Sequence, residues 1–262
     1  MPRLVLLLLA AFALSVGVAE AADRSDGSTA APSRITHLLT HVPLSTLNKV
    51  GAGKLSGPSS FTLTKLRAPL RRGGKPELLT FELAWCPHCA ADSWALAMAL
   101  SRFGKLSGLR LIDSGTLYGT KFHGNPPFPH TQGLSFFDAR YHSVYLDFAS
   151  VVLQDLAGHQ LQTPTRTEGN AINAFDHTGE IPAVDVGGAY GFLGSGFSPG
   201  VLAHKTWAQI AKSLADPKNP AAQRIDGLAN LFAAAICKTT NGKPTGVCNS
   251  SGVIAASVAR LQ

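Results

Sequence analysis

From residue 77 onward, apolar stretches of two lengths alternate along the chain, and each length implies a different element. ELLTFELAW (77–85) is short and nearly continuous in its apolar character, as a buried strand is. PHCAADSWALAMALSRF (87–103) is longer, rich in helix formers, and followed by Gly104, a natural residue just past a helix end. GLRLIDS (108–114) reads as a further strand. Strand, helix and strand joined this tightly form a βαβ unit, so the strands at 77–85 and 108–114 are expected to lie parallel. Before this unit, a strand is expected at Phe61–Lys65, and two short helices within 34–50 are broken at Pro43. GAGKLSGPSS (51–60) and the basic stretch 67–76 read as loops.

Downstream, the pattern becomes irregular and then regular again. Residues 115–175 read as an insertion of strand and loop character, with LSFFDA (134–139) and SVYLDFASVVLQ (143–154) carrying β-branched and aromatic residues, and a short helix within 163–176. EIPAVDVGGAYGFLG (180–194) places Gly187-Gly188 between two strand-like runs, which marks a tight hairpin. Thr206-Trp207-Ala208-Gln209 opens a helix as a capping box, and Pro217 stops it. Asn219-Pro220 starts another helix that runs to about Cys237, and GVIAASVARL (252–261) predicts a last one. The order β, β, α, β, insertion, β, β, α and further helix is that of an α/β protein.

The N-terminus bears on compartment. MPRLVLLLLAAFALSVGVAEA (1–21) joins one arginine to an apolar run from Leu4 to Val18 and a small-residue exit at Ala19-Glu20-Ala21, the pattern of a secretory signal peptide cleaved after Ala21. An uncleaved anchor would place the domain on the same side of the membrane. ADRSDGSTAAPS (22–33) reads as a flexible lead-in. The remaining chain is expected to be exported, periplasmic or extracellular, with no transmembrane segment; LANLFAAAIC (228–237) suits a buried helix better than a span. A net charge of +7 is spread widely. The one small cluster, Lys65, Arg67, Arg71, Arg72 and Lys75, comes with no nucleic-acid motif, so no nucleic-acid partner is expected.

Export changes how the cysteines read, because disulfides persist outside the cytosol. The four cysteines form two close pairs, Cys86/Cys89 and Cys237/Cys248. A bridge between Cys237 and Cys248 would be structural: it closes a turn-rich loop of about a dozen residues, worth on the order of 3 kcal/mol by the chain-entropy argument. Cys86 and Cys89 differ in placement. Pro87 suits the first helical turn, which makes Cys86 the N-cap, its sulfur facing unpaired backbone N–H groups and the positive end of the helix dipole. A protonated His88 would add a second positive charge. These effects favour the thiolate at Cys86. Cys89 lies one turn on, on the same face, and is expected to keep the higher pKa and to resolve a mixed disulfide formed at Cys86. Haem attachment needs histidine after the second cysteine, where Ala90 stands. Zinc lacks a second ligand pair; His37 and His41, and His123 and His130, read as surface histidines, and no metal site is expected. A structural bridge at Cys86/Cys89, or a dithiol that holds a metal such as copper for a partner, remains as an alternative.

Strand, then Trp85-Cys86-Pro87-His88-Cys89, then a long helix resembles the thioredoxin superfamily, and the Pro-His pair is that of the periplasmic oxidant DsbA. Ile181-Pro182 is similar to the superfamily's cis-proline loop, which packs against the dithiol and binds partner backbone. The resemblance implies a thioredoxin-like domain over 61–215, with the insertion at about 115–175, a lead-in with short helices at 22–60 and a helical C-terminal extension at 216–262 stapled by Cys237–Cys248. It implies a thiol–disulfide oxidoreductase with Cys86 and Cys89 catalytic, Trp85, Pro87 and His88 tuning the dithiol, and Ile181 and Pro182 contacting the partner. No cofactor is implied beyond the redox disulfide. The implied partners are exported proteins with thiols or disulfides and a redox partner that recycles the dithiol. CPHCAADSWALAMALSRFGKLSGL, LQTPT, IPAVDVGGAY and the helix from Asn219 further resemble an uncharacterised microbial family, domain of unknown function nine-two-nine. One departure stands out. Thioredoxin and DsbA carry a buried acid six residues before the first cysteine, where this chain has Thr80, and the nearest acid is Glu82.

Overall fold

The computed structural model describes residues 25–55, 62–117 and 128–261. The signal-peptide reading at 1–21, Phe61 and His123 lie outside the described residues. In chain order the first elements are β1 (Thr29–Ala30), α1 (Ser33–Thr40), α2 (Leu44–Val50), β2 (Thr62–Lys65), β3 (Arg71–Arg72), β4 (Lys75–Leu83) and α3 (Pro87–Ser101). Then come β5 (Lys105–Ser107), β6 (Arg110–Ser114), β7 (Thr131–Ser135), β8 (Arg140–His142), β9 (Asp147–Gln154) and α4 (Arg166–Asn173). The C-terminal part holds β10 (Ala183–Val186), β11 (Tyr190–Leu193), a 3-10 turn (Pro199–Leu202), α5 (Trp207–Ser213), α6 (Pro220–Thr239), α7 (Thr245–Cys248) and α8 (Ser251–Arg260).

A mixed sheet forms the centre. Its order is β2–β11–β10–β4, with β9 parallel to β4 on β4's other side and β3 folded antiparallel onto the start of β4. Alternation along β4 sorts its side chains between two faces. Leu78 joins Trp94 of α3, Val184, Val186 and Phe192 of the hairpin strands and Phe232 of α6 in one apolar cluster. Leu79 and Phe81 join Ile172 of α4, Phe175, Ala183 and Leu193 in a second cluster on the opposite face. Helices therefore cover both sides, and β4 is buried at every position but its two ends. α3 is buried nearly all round, as its continuous apolar composition requires.

The parallel partner of β4 corrects the sequence reading. It is β9, from the stretch read as an insertion, whereas β6 pairs antiparallel with β1 and β7 in a separate three-stranded sheet. The reason lies in the charges. Arg110 and Asp113 fall on opposite faces of β6, so neither face could be covered without burying a charge. β9 carries its one charged residue, Asp147, at its first position. In its place between β1 and β7, each charge on β6 finds a partner: Arg110 reaches Asp138 at 3.3 Å, and Asp113 reaches His130 at 3.2 Å.

The lead-in is also more ordered than its composition implies. Asp26 is fully buried and accepts hydrogen bonds from Ser28 and Ser135, and β1 pairs with β6. This anchoring is polar, so a search for apolar periodicity passes over it. Ile35, Leu39 and Leu47 of α1 and α2 belong to the main core. Buried Asn230 of α6 donates to the carbonyls of Leu47 and Gly51, both at 2.9 Å, closing the end of α2. The predicted capping box and hairpin are present: Thr206 with Gln209 opens α5, and Gly187 and Gly188, both at positive φ, turn β10 into β11. A side chain at Gly188 would run into the carbonyl of Ala68. Cys237 and Cys248 form a disulfide with Cα atoms 5.6 Å apart, tying the end of α6 to α7. No described helix is long and apolar enough to cross a membrane.

Candidate functional site

The chain leaves β4 at Leu83 and enters α3 at Pro87, and the turn between them carries Trp85 and Cys86. Cys86 is the N-cap of α3, in extended conformation, and its sulfur accepts from the Cys89 backbone N–H at 3.5 Å. Pro87 fills the first helical position, where an N–H would have no partner. Cys86 and Cys89 are both free thiols, each only 5% exposed. Trp85 packs with them, and Leu83, Leu117 and Ile181 complete an apolar surround. The Trp85 indole N–H donates to Gln154 at the end of β9 at 2.7 Å, which fixes the ring relative to the sheet.

Ile181 and Pro182 come from the far side of the fold, just before β10, and the peptide bond between them is cis. The Cys86 thiol lies 4.0 Å from the Ile181 carbonyl oxygen. The structure thus brings Trp85, Cys86, Pro87, His88, Cys89 and Ile181-Pro182 together, and leaves Cys237–Cys248 apart as a staple between helices.

The two sulfurs differ in protonation. The Cys89 thiol donates to Cys86 and, with the backbone N–H groups of Cys89 and His88, holds the Cys86 pKa below its ordinary value although burial opposes this. Burial pushes Cys89 well up, and its hydrogen bond to Cys86 and the charges on Cys86 and Glu82 add to the effect. His88 contributes no positive charge. Burial lowers its pKa below the ordinary 6.5, so its ring is neutral near pH 7. Its Nδ1 is buried without a hydrogen-bond partner among the described residues, and its ring stands edge-on to Phe128, centroids 5.6 Å apart. The expected electrostatic help from a protonated His88 is therefore replaced by the help of its backbone N–H.

Glu82 shares its face of β4 with Leu78 and Thr80, the face that α3 covers. It is buried, accepts from the Thr80 hydroxyl at 3.1 Å, and burial raises its pKa to about 8. Asp92, on α3, was not singled out in the sequence. Its oxygens accept from Ser195 Oγ and the Gly196 N–H, both at 3.0 Å, and burial raises its pKa to about 7. A lone acid in an alanine-rich helix was the signal for it. Gly133 of β7 is a second such residue: a side chain there would come within 2.5 Å of Ala90 Cα, just after the dithiol. Among the described residues no group of three or more His, Cys, Asp or Glu side chains is placed to hold a metal ion. His37 and His41 stack on each other with centroids 4.1 Å apart.

Residues 65–173 match the family described as Domain of unknown function (DUF929). The matched stretch contains β4, the dithiol, α3, β9 and α4, and ends before Ile181-Pro182. No curated protein and no solved structure matches the chain.

Proposed function

We propose that this chain is an exported thiol–disulfide oxidoreductase of thioredoxin-like fold, which exchanges disulfides with partner proteins through Cys86 and Cys89. Support for the fold comes from the order of elements. A strand leads into a helix that starts at the dithiol, a parallel strand follows, and an antiparallel hairpin then leads to a helix. α3 and α6 lie on one face of this sheet and α4 on the other. The observation that carries the function is the difference between the two sulfurs. Cys86, at a helix N-cap and hydrogen-bonded by Cys89, is held toward the thiolate, while Cys89 is held as the thiol.

The chemistry follows from that difference. The Cys86 thiolate attacks one sulfur of a partner disulfide, the partner's S–S bond breaks, and its other sulfur leaves as a thiolate that takes up a proton. Cys89 then loses its proton and attacks Cys86 Sγ, forming the Cys86–Cys89 disulfide and releasing the second partner thiol. The partner gains two electrons and the dithiol loses two. The reverse sequence delivers a disulfide, and a second thiol or disulfide protein resets the pair. The Ile181 carbonyl beside Cys86 marks where partner backbone would lie.

Cys89→Ala should accumulate mixed disulfides between Cys86 and other exported proteins, visible on non-reducing gels and lost on reduction. Cys86→Ser should accumulate none. If neither variant traps a partner, the exchange reading is wrong. A reduction potential near about −120 mV would make the protein an oxidant, and one near about −270 mV a reductant.

A further inference from the structure

On the sheet face away from α3, a cavity of about 550 Å³ opens between α4 and the segment 64–70. Leu66 and Leu70 wall it on one side, Ala171 and Ala174 on the other. Its floor holds a carboxyl group. Strand register sets Asp185, Gly191 and Thr64 in one row across β10, β11 and β2, and directly paired residues point to the same face. Ala183, two residues before Asp185, belongs to the apolar cluster under α4, so the row faces that side. A side chain at Gly191 would meet the Phe175 ring, which leaves Asp185 and Thr64 as the side chains the row offers the cavity, and both line it.

Asp185 is 2% exposed. Its Oδ1 accepts from the Gly188 N–H at 2.6 Å, which braces the β10–β11 turn. That bond explains one oxygen only. Among the described residues Oδ2 accepts no hydrogen bond and Asp185 forms no ion pair. Glu77 lies on the same face, two residues along β4 from Leu79, the partner of Asp185. It takes the Arg72 guanidinium at 2.7 Å, and the same guanidinium reaches Glu168 of α4 at 3.2 Å. One cation thus serves two carboxylates and leaves Asp185 without a countercharge. Lys65 and Arg67 border the cavity but are exposed, so water meets their charges. A buried carboxylate is costly unless a charged donor meets it, and the open oxygen faces a space that can admit one.

We propose that this cavity binds a small apolar amine, whose ammonium group donates to Asp185 Oδ2 while its hydrocarbon body lies between Leu70 and Ala171. The site is on the other face of the sheet from the dithiol and stands apart from the exchange reading.

Three ligands of one shape and different charge test it: phenethylamine, phenethyl alcohol and phenylacetate. Calorimetric titration at about pH 8 keeps Asp185 ionised, since burial raises its pKa to about 7. The amine should bind roughly tenfold tighter than the alcohol, as one charge-assisted hydrogen bond implies, and the anion should bind weakest. Asp185→Asn keeps an acceptor for the Gly188 N–H and should bind the amine no tighter than the alcohol. Ala174→Trp, at an exposed position on the cavity wall, should abolish binding of both without touching the core. Circular dichroism checks that each variant folds. If Asp185→Asn does not, the ligand series on the wild type and Ala174→Trp decides. No binding of the amine at millimolar concentration, equal affinity for the three ligands, or amine binding unchanged in either folded variant would overturn the proposal. Tightest binding of phenylacetate would assign the cavity to an anion drawn by Lys65 and Arg67, and overturns it too.

Discussion

Three donors converge on the sulfur of Cys86: the Cys89 thiol and the backbone N–H groups of Cys89 and His88. The thiol is the largest of the three influences, so removing it has a definite sign. In Cys89→Ala, Cys86 should titrate at a higher pH than in the wild type, followed by the ultraviolet absorbance of the thiolate. An unchanged or lower midpoint would mean that the helix N-terminus alone sets the acidity. This is the opposite of what deleting a buried like charge does, and it separates a donor from a repelling neighbour. At this scale the cap was legible in the sequence, because Pro87 fixes the helix start through its own ring and missing N–H. The charge state of His88 was not, since it depends on Phe128 and other distant residues that bury the ring. Nor was the direction of Glu82, because alternation defines two faces but does not say which one a helix will cover.

Two elements approach closely where β7 crosses the first turn of α3. Gly133→Ala would drive a methyl into the backbone of Ala90, one residue past the dithiol. It should destabilise the fold by about 1–3 kcal/mol, the usual cost of overpacking, and slow exchange by displacing the cap. Gly169→Ala is the control. Gly169 lies in α4 with nothing within 4 Å of an added methyl, so this change should be neutral or stabilising by up to about 1 kcal/mol, as helix propensity implies. Urea unfolding of both variants checks the pair, and equal midpoints would remove the β7 contact from the account. Most elements were legible because their signals are local: the Gly187-Gly188 turn, the Thr206 capping box and the Asn219-Pro220 start each need only a few residues. Pairing was not. Both 108–114 and 143–154 read as strands, and which one lies beside β4 follows from where Arg110 and Asp113 can find partners. The anchoring of Asp26 escaped for a related reason, since its partners Ser135 and Arg110 are remote in sequence.

Over the whole molecule, burial raises five carboxyl groups among the described residues: Glu77, Glu82 to about 8, Asp92 to about 7, Asp185 to about 7 and Asp226 to about 8. In the unfolded chain such groups titrate near 4. Below that pH they are protonated in both states and their contribution to stability is complete. As pH rises the unfolded state ionises first, and the contribution is lost progressively until pH passes the folded values. The melting temperature should therefore fall between about pH 5 and pH 8, and Glu82→Gln with Asp92→Asn should flatten that fall. A melting temperature that rises over this range would contradict the burial of these acids. The central place of β4 has a consequence for how the protein is made. Apart from the adjacent β3, its neighbours are residues 147–154 and 183–186, and the sheet's outer strand at 62–65 pairs with residues 190–193. Long-range pairings of this kind close large loops and fold slowly. A chain growing from its N-terminus completes the dithiol long before it completes the strands and helices that shelter it. Until residue 193 is available, the largely apolar α3 and two unprotected thiols stand open to chaperones and to mispairing with other cysteines. The half-made protein is thus itself a client for the disulfide chemistry that the finished one is proposed to perform.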